Sequence, residues 1–138
     1  MADPRPRTRP SLRSPLGRVL GLGSAKGGSG HWYSQRVTAV ALVILGFWFV
    51  ASLAMLGHGA SYEAVAAWLR SPFSATMAML LVGVGAYHAL LGLQVVIEDY
   101  VGDKGTRTVV IVAVKFALVV ATLAGVLAVL RLAFGVQA

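Results

Sequence analysis

Between Arg70 and Glu98 the sequence holds one histidine, His88, and no Asp, Glu, Lys or Arg, in an otherwise apolar run. The end of that run reads Tyr87-His88-Ala89-Leu90-Leu91-Gly92-Leu93-Gln94-Val95-Val96-Ile97-Glu98-Asp99-Tyr100, passing from apolar residues into two carboxylates and a phenol. A helix turns 100° and rises 1.5 Å per residue. On that geometry Gly92 sits about 40° from His88, Gly85 about 60° and Asp99 about 20°. One stripe therefore carries a buried imidazole, two glycines that admit something bulky, and a carboxylate at its end. Tyr100 lies about 120° round and roughly 18 Å further along. The pattern predicts a cofactor site at mid-depth in a membrane helix and a second polar site at the membrane edge.

An ionisable residue inside a membrane segment marks function by default. Four roles compete for His88: a structural hydrogen bond to a neighbouring helix, a proton relay, a metal ligand and an axial haem ligand. A relay needs further titratable groups at depth, and this segment offers none before the Glu98-Asp99 pair. Zinc takes four ligands, and no others accompany His88. Haem needs one axial ligand from this chain, with glycines letting the macrocycle approach and a partner supplying the second. On spacing alone, the axial ligand and the structural hydrogen bond both stand.

The elements that must position these groups follow from composition. The chain has 138 residues, 57% hydrophobic and 12% charged, with mean hydropathy +0.77. A water-soluble domain of this size would lack the polar residues to cover its surface. No Asp, Glu, Lys or Arg falls between Arg36 and Glu63 or between Arg70 and Glu98, and Lys115 alone interrupts Thr108 to Leu130. Each interval can cross a hydrocarbon core, which needs about 20 residues. The expected fold is an all-α membrane protein with three transmembrane helices over residues 34–56, 74–97 and 108–134. A short interfacial helix lies between the first and second, from Tyr62 to Leu69, N-capped by Ser61 and stopped by Pro72.

Residues 1–30 form an Arg-, Pro- and Gly-rich arm, and residues 31–138 the three-helix anchor. Pro4, Pro6, Pro10 and Pro15 oppose the amphipathic helix of a transit peptide, and the apolar run after Arg36 exceeds the usual core of a secretory signal. The net charge of +7 sits beside a membrane segment without interleaved aromatics, which points to membrane lipid and away from nucleic acid. There is no cysteine, so thiolate-ligated clusters, disulfides and thiol catalysis are excluded from this chain. Seven of the twelve basic residues precede or include Arg36, and Lys104 and Arg107 follow Tyr100. The positive-inside rule then puts the N-terminus and the Asp99–Tyr100 end in the cytoplasm, with the chain in a bacterial inner membrane. At the start of the first helix, His31 and Arg36 read either as a snorkelling anchor or as a pair facing an anionic ligand. His58 reads as a solvated loop residue, and Lys115 as a lysine snorkelling from depth.

The stretch His88-Ala89-x-x-Gly92-x-x-x-Val96-Ile97-x-Asp99-Tyr100 closely resembles the second helix of the succinate dehydrogenase hydrophobic membrane anchor subunits. Gly21-x-Gly23-Ser24-Ala25-Lys26 and His31-Trp32-x-x-Gln35-Arg36-Val37-Thr38-Ala39 resemble the approach to the first helix in the alphaproteobacterial form of that family. The resemblance covers about residues 20–134. It implies that His88 is an axial ligand of haem b, held between this subunit and a larger cytochrome b anchor. It implies that Asp99 and Tyr100 belong to the ubiquinone site, the tyrosine hydroxyl hydrogen-bonding a quinone carbonyl, with Arg36 near the haem propionates and His31 in the same neighbourhood. Flavoprotein and iron–sulfur subunits would complete a succinate:ubiquinone oxidoreductase, complex II of the respiratory chain and tricarboxylic acid cycle. This chain alone would carry no dehydrogenase chemistry and no catalytic residue. The rival reading is a small proton-coupled transporter or channel subunit using His88 and Asp99, separable by a b-type cytochrome spectrum.

Overall fold

The computed structural model describes residues 28–57 and 59–135, and the arm before them, His58 and the last three residues lie outside that range. Four helices follow in order: α1 (Gly28–Leu56), α2 (Tyr62–Arg70), α3 (Pro72–Tyr100) and α4 (Lys104–Phe134). Three of them are long and apolar enough to span a bilayer, with 28, 29 and 31 residues in the spans Ser29–Leu56, Pro72–Tyr100 and Lys104–Phe134. At 1.5 Å per residue these run about 42–46 Å, against a hydrocarbon core of about 30 Å. Their end turns therefore stand in the headgroup zone, where His31, Asp99 and Lys104 are placed.

The long helices start earlier than composition alone suggests. α1 begins at Gly28 rather than Ser34, so His31, Trp32 and Tyr33 are helical. Once the apolar segment is helical, each preceding residue adds a bond without a new nucleation cost. Pro72 both ends α2 and opens α3, because a proline at the first helical position forfeits only an N–H that would be unpaired there. α3 runs on to Tyr100, which puts Glu98, Asp99 and Tyr100 in its last turn rather than in a loop. α4 begins at Lys104, four residues before the expected start, because Asp103 caps it: its carboxylate accepts from the Thr106 amide at 2.7 Å. That hydrogen bond holds the Asp103 carboxyl below the usual carboxylate range. The α2 start is built alike, with the Ser61 hydroxyl accepting from Ala64 N at 3.3 Å, and Glu63 lowered by its own backbone amide first and Ser61 second.

α1 and α4 each pack against α3, which makes α3 the central helix. α2 folds across α3 and α4 at the end away from Asp99. There Trp48 of α1 stacks on Trp68 of α2 at 5.5 Å and meets Phe73 of α3 edge-on at 6.2 Å. Such pairs contribute about 0.5–1.5 kcal/mol each beyond their buried area. Arg70 lies beside Gly135, whose left-handed backbone (φ 68°) closes α4, so a cation faces the negative end of that helix.

Among the described glycines, Gly125 has the closest neighbour: an added Cβ would meet Val82 Cγ1 at 3.0 Å. Gly85 and Gly92 face α1 at ordinary contact distances (Leu42 at 3.9 Å, Gln35 at 3.7 Å), and Gly83 has open space. The α3 glycines thus adjoin α1 or a groove rather than a locked crossing, and the close approach is on α4. Little of this chain is buried within itself: α4 has no buried residue, and Phe47 and Phe134 are each 78% exposed. In a bilayer these apolar faces meet lipid or neighbouring helices.

Candidate functional site

His88 points at α1. Its Nδ1 lies 2.9 Å from the Thr38 hydroxyl, and its Nε2 lies 3.5 Å from the Gln35 amide nitrogen. Thr38 Oγ1 is also 2.8 Å from the Ser34 carbonyl oxygen and 3.1 Å from that of Gln35. A hydroxyl has one proton to donate. A carbonyl can only accept; with Thr38 giving its proton back along α1, the hydroxyl oxygen accepts from His88 Nδ1–H. In that arrangement the imidazole carries its proton on Nδ1 and its lone pair on Nε2. Thr38 is buried, which strengthens the constraint.

A cavity of about 670 Å³ opens beside this contact, lined by His31, Trp32 and Gln35 of α1 and Gly92, Gln94, Val95 and Glu98 of α3. Two buried polar atoms on its wall, His31 Nε2 and Gln35 Oε1, have no hydrogen-bond partner. Buried polar atoms are almost always paired, so both atoms are open to a hydrogen bond from water, a ligand or a partner subunit. Glu98 is kept on the wall by the Gln94 amide, which donates to it at 2.9 Å. A Cβ at position 92 would meet the Gln35 amide nitrogen at 3.7 Å, an ordinary contact, and Gly92 shares the cavity wall with Gln35.

The remaining candidates are distributed differently. His31 lines the cavity, whereas Arg36 lies on the exposed surface with its guanidinium 4.3 Å over the Trp32 ring. Five residues apart on α1, the two differ by about 140° round the helix, with Trp32, over which Arg36 stands, on the cavity wall beside His31. Asp99 and Tyr100 stand past the cavity on the last turn of α3, both exposed, Tyr100 at 85%. The chain therefore carries two separate polar sets: His88 with Thr38, Gln35 and His31 at depth, and Asp99 with Tyr100 at the edge.

Thr38, Gln35, Gln94 and Glu98 received no site role from sequence. A signal existed for two of them: His31, Gln35 and Thr38 recur at i, i+4 and i+7, one polar face on an otherwise apolar helix.

A haem axial histidine needs a free lone pair on one ring nitrogen and a partner orienting the other. Thr38 serves as the orienting group at Nδ1, and at Nε2 the Gln35 amide, 3.5 Å away and itself on the cavity wall, is the group that would give way to iron, so the residues present fit that group. Among the described residues no three His, Cys, Asp or Glu side chains form a metal cluster.

A family model described as succinate dehydrogenase/fumarate reductase transmembrane subunit matches residues 10–124. The succinate dehydrogenase hydrophobic membrane anchor subunit of Rickettsia bellii (strain RML369-C) is 36% identical over 119 residues, 86% of this chain and 94% of that protein. Its namesake in Rickettsia conorii (strain ATCC VR-613 / Malish 7) is 34% identical over 118 residues, covering 85% and 93%. That of Paracoccus denitrificans is 35% identical over 122 residues, covering 88% and 93%.

Proposed function

Because this chain belongs to the family of succinate dehydrogenase/fumarate reductase transmembrane subunits, we propose that it anchors a succinate:ubiquinone oxidoreductase, giving one axial ligand to haem b and part of the ubiquinone site. It is a multi-pass membrane protein and associates, as an anchor subunit does, with the other succinate dehydrogenase subunits. The finer partners in this reading are a flavoprotein, an iron–sulfur protein and a larger cytochrome b anchor that supplies the second haem histidine.

The observation that carries the haem reading is the Thr38–His88 contact, which orients the imidazole through Nδ1 and leaves Nε2 with the long 3.5 Å contact to the Gln35 amide, next to a cavity that Gln35 lines. Haem b bound there would supply one-electron storage between an iron–sulfur donor and a quinone. His88 binds and orients, Thr38 fixes its tautomer, and His31 and Gln35 are at hand for polar groups entering the cavity. At the edge, Tyr100 can donate to a quinone oxygen as that oxygen gains charge, and Asp99 can orient it or pass a proton from water. Their exposure in the single chain suits a site completed by partner subunits.

The basic residues favour a cytoplasmic N-terminus in a bacterial inner membrane. A proton-path reading finds less support: His88 and Asp99 are about 16 Å apart along α3. No titratable side chain of α3 stands between His88 and Glu98.

The test is the visible spectrum of the purified complex with His88→Ala. The b-type bands should disappear or change in position and amplitude. Bands identical to wild type would overturn the haem assignment.

A further inference from the structure

Lys115 is the single charged side chain in the apolar stretch of α4 between Thr108 and Leu130, and the His88 site makes no use of it. It lies on the other side of α3. With Gly83, Tyr87, Leu90, Leu118 and Leu123 it lines a groove of about 240 Å³ between α3 and α4. The α3 residues of that groove stand about 160–260° round the helix from His88.

Three features give the groove a polar end and an apolar end. Lys104, Thr108, Lys115 and Thr122 fall within about 40° on one stripe of α4. The two hydroxyls are committed locally, Thr108 to the Lys104 carbonyl at 2.9 Å and Thr122 to that of Leu118 at 2.6 Å, so the ammoniums are the groups on this stripe open to a ligand. Glu98, Asp99 and Asp103 belong to the polar end of the bundle, at least eight residues, or about 12 Å, beyond the level where Leu90 and Lys115 meet. A helical side chain leans towards the N-terminus of its helix. Lys115 therefore leans towards Asp103 and Lys104, into the headgroup zone. In the other direction the groove continues from Lys115 to Leu123, about 12 Å, between Gly83, Tyr87 and Leu118.

We infer that this groove binds one phospholipid of the leaflet on the Asp103 side, its anionic headgroup at Lys115 below Lys104 and an acyl chain between α3 and α4. A cation at bilayer depth is costly unless it reaches an anion or the interface, and an acidic headgroup provides both. The volume suits a hydrocarbon chain. A helix about 10 Å across cannot enter it, which disfavours a partner segment as occupant.

The experiment uses the intact complex purified from its membrane and reconstituted in nanodiscs of phosphatidylcholine doped with phosphatidylglycerol. Lipid retained after release is counted by native mass spectrometry. Wild type should retain phosphatidylglycerol over phosphatidylcholine at this site, and Lys115→Gln should lower that preference about fivefold, the discrimination one basic side chain confers at a membrane surface. Lys115→Arg should keep it. Leu118→Phe, which fills the groove without touching charge, should lower retention of both lipids. Equal retention of the two lipids by wild type would overturn the inference. So would a Lys115→Gln complex that keeps the preference, or one that sheds a partner subunit while its lipid count is unchanged, since Lys115 would then pair with a protein carboxylate.

Discussion

Replacing Thr38 by valine keeps the branched shape and removes the one hydroxyl that touches His88 Nδ1, at 2.9 Å. Two routes give the size of the effect. Leaving a buried donor unpaired costs about 1–3 kcal/mol. Losing the orienting partner of a metal-bound histidine typically costs 10–100-fold in affinity, which is about 1.4–2.8 kcal/mol at 1.4 kcal/mol per decade. The routes agree because the damage is one event. Without the Thr38 acceptor, the imidazole proton is free to move to Nε2, and that form has no lone pair for iron. The assay is haem transfer from the purified complex to an excess of apomyoglobin, a rate that still responds when both variants load fully at equilibrium. Thr38→Val should release haem 10–100 times faster than wild type, with a shifted haem midpoint potential. Thr38→Ser should stay close to wild type, since it retains the hydroxyl. A thermal melt of each complex separates loss of the contact from loss of the fold. If Thr38→Val melts, transfers haem and titrates like wild type, the tautomer argument is wrong.

Tyr100→Phe should lower succinate-to-ubiquinone turnover about ten- to a hundredfold while leaving reduction of an artificial acceptor upstream intact, because a hydrogen bond to a charge-developing oxygen is worth about 1.5–3 kcal/mol. Unchanged quinone turnover would make Tyr100 an ordinary interfacial aromatic. Single cysteines at Lys104 and Glu63 should label from opposite sides of intact cells, Glu63→Cys from outside and Lys104→Cys only after permeabilisation. Labelling of Lys104→Cys from outside would reverse the orientation.

The sequence alone determined the three spans and where each polar group sits along them. Both are one-dimensional properties: a bilayer reads about 20 apolar residues as a crossing, and helical rise then assigns depth to His88, Asp99, Tyr100 and Lys115. The family pattern was also legible, because it rests on the spacing from His88 to Tyr100 within one helix. Helix ends were less so. Pro72 reads as a stop on any local rule, yet it is the first residue of α3, since a missing N–H is harmless there. What only the tertiary structure decided is which residues of α1 meet which residues of α3. Thr38 and His88 are 50 positions apart, and no periodicity within either helix says that they touch. The same pairing turned His31 into the cavity and left Arg36 outside over Trp32. It also set His88 and Lys115 on opposite sides of α3. The physical reason is that each long helix is apolar on nearly every face, so the hydrophobic pattern marks no single face for burial, and the pairing is settled by close packing and a few polar contacts between helices.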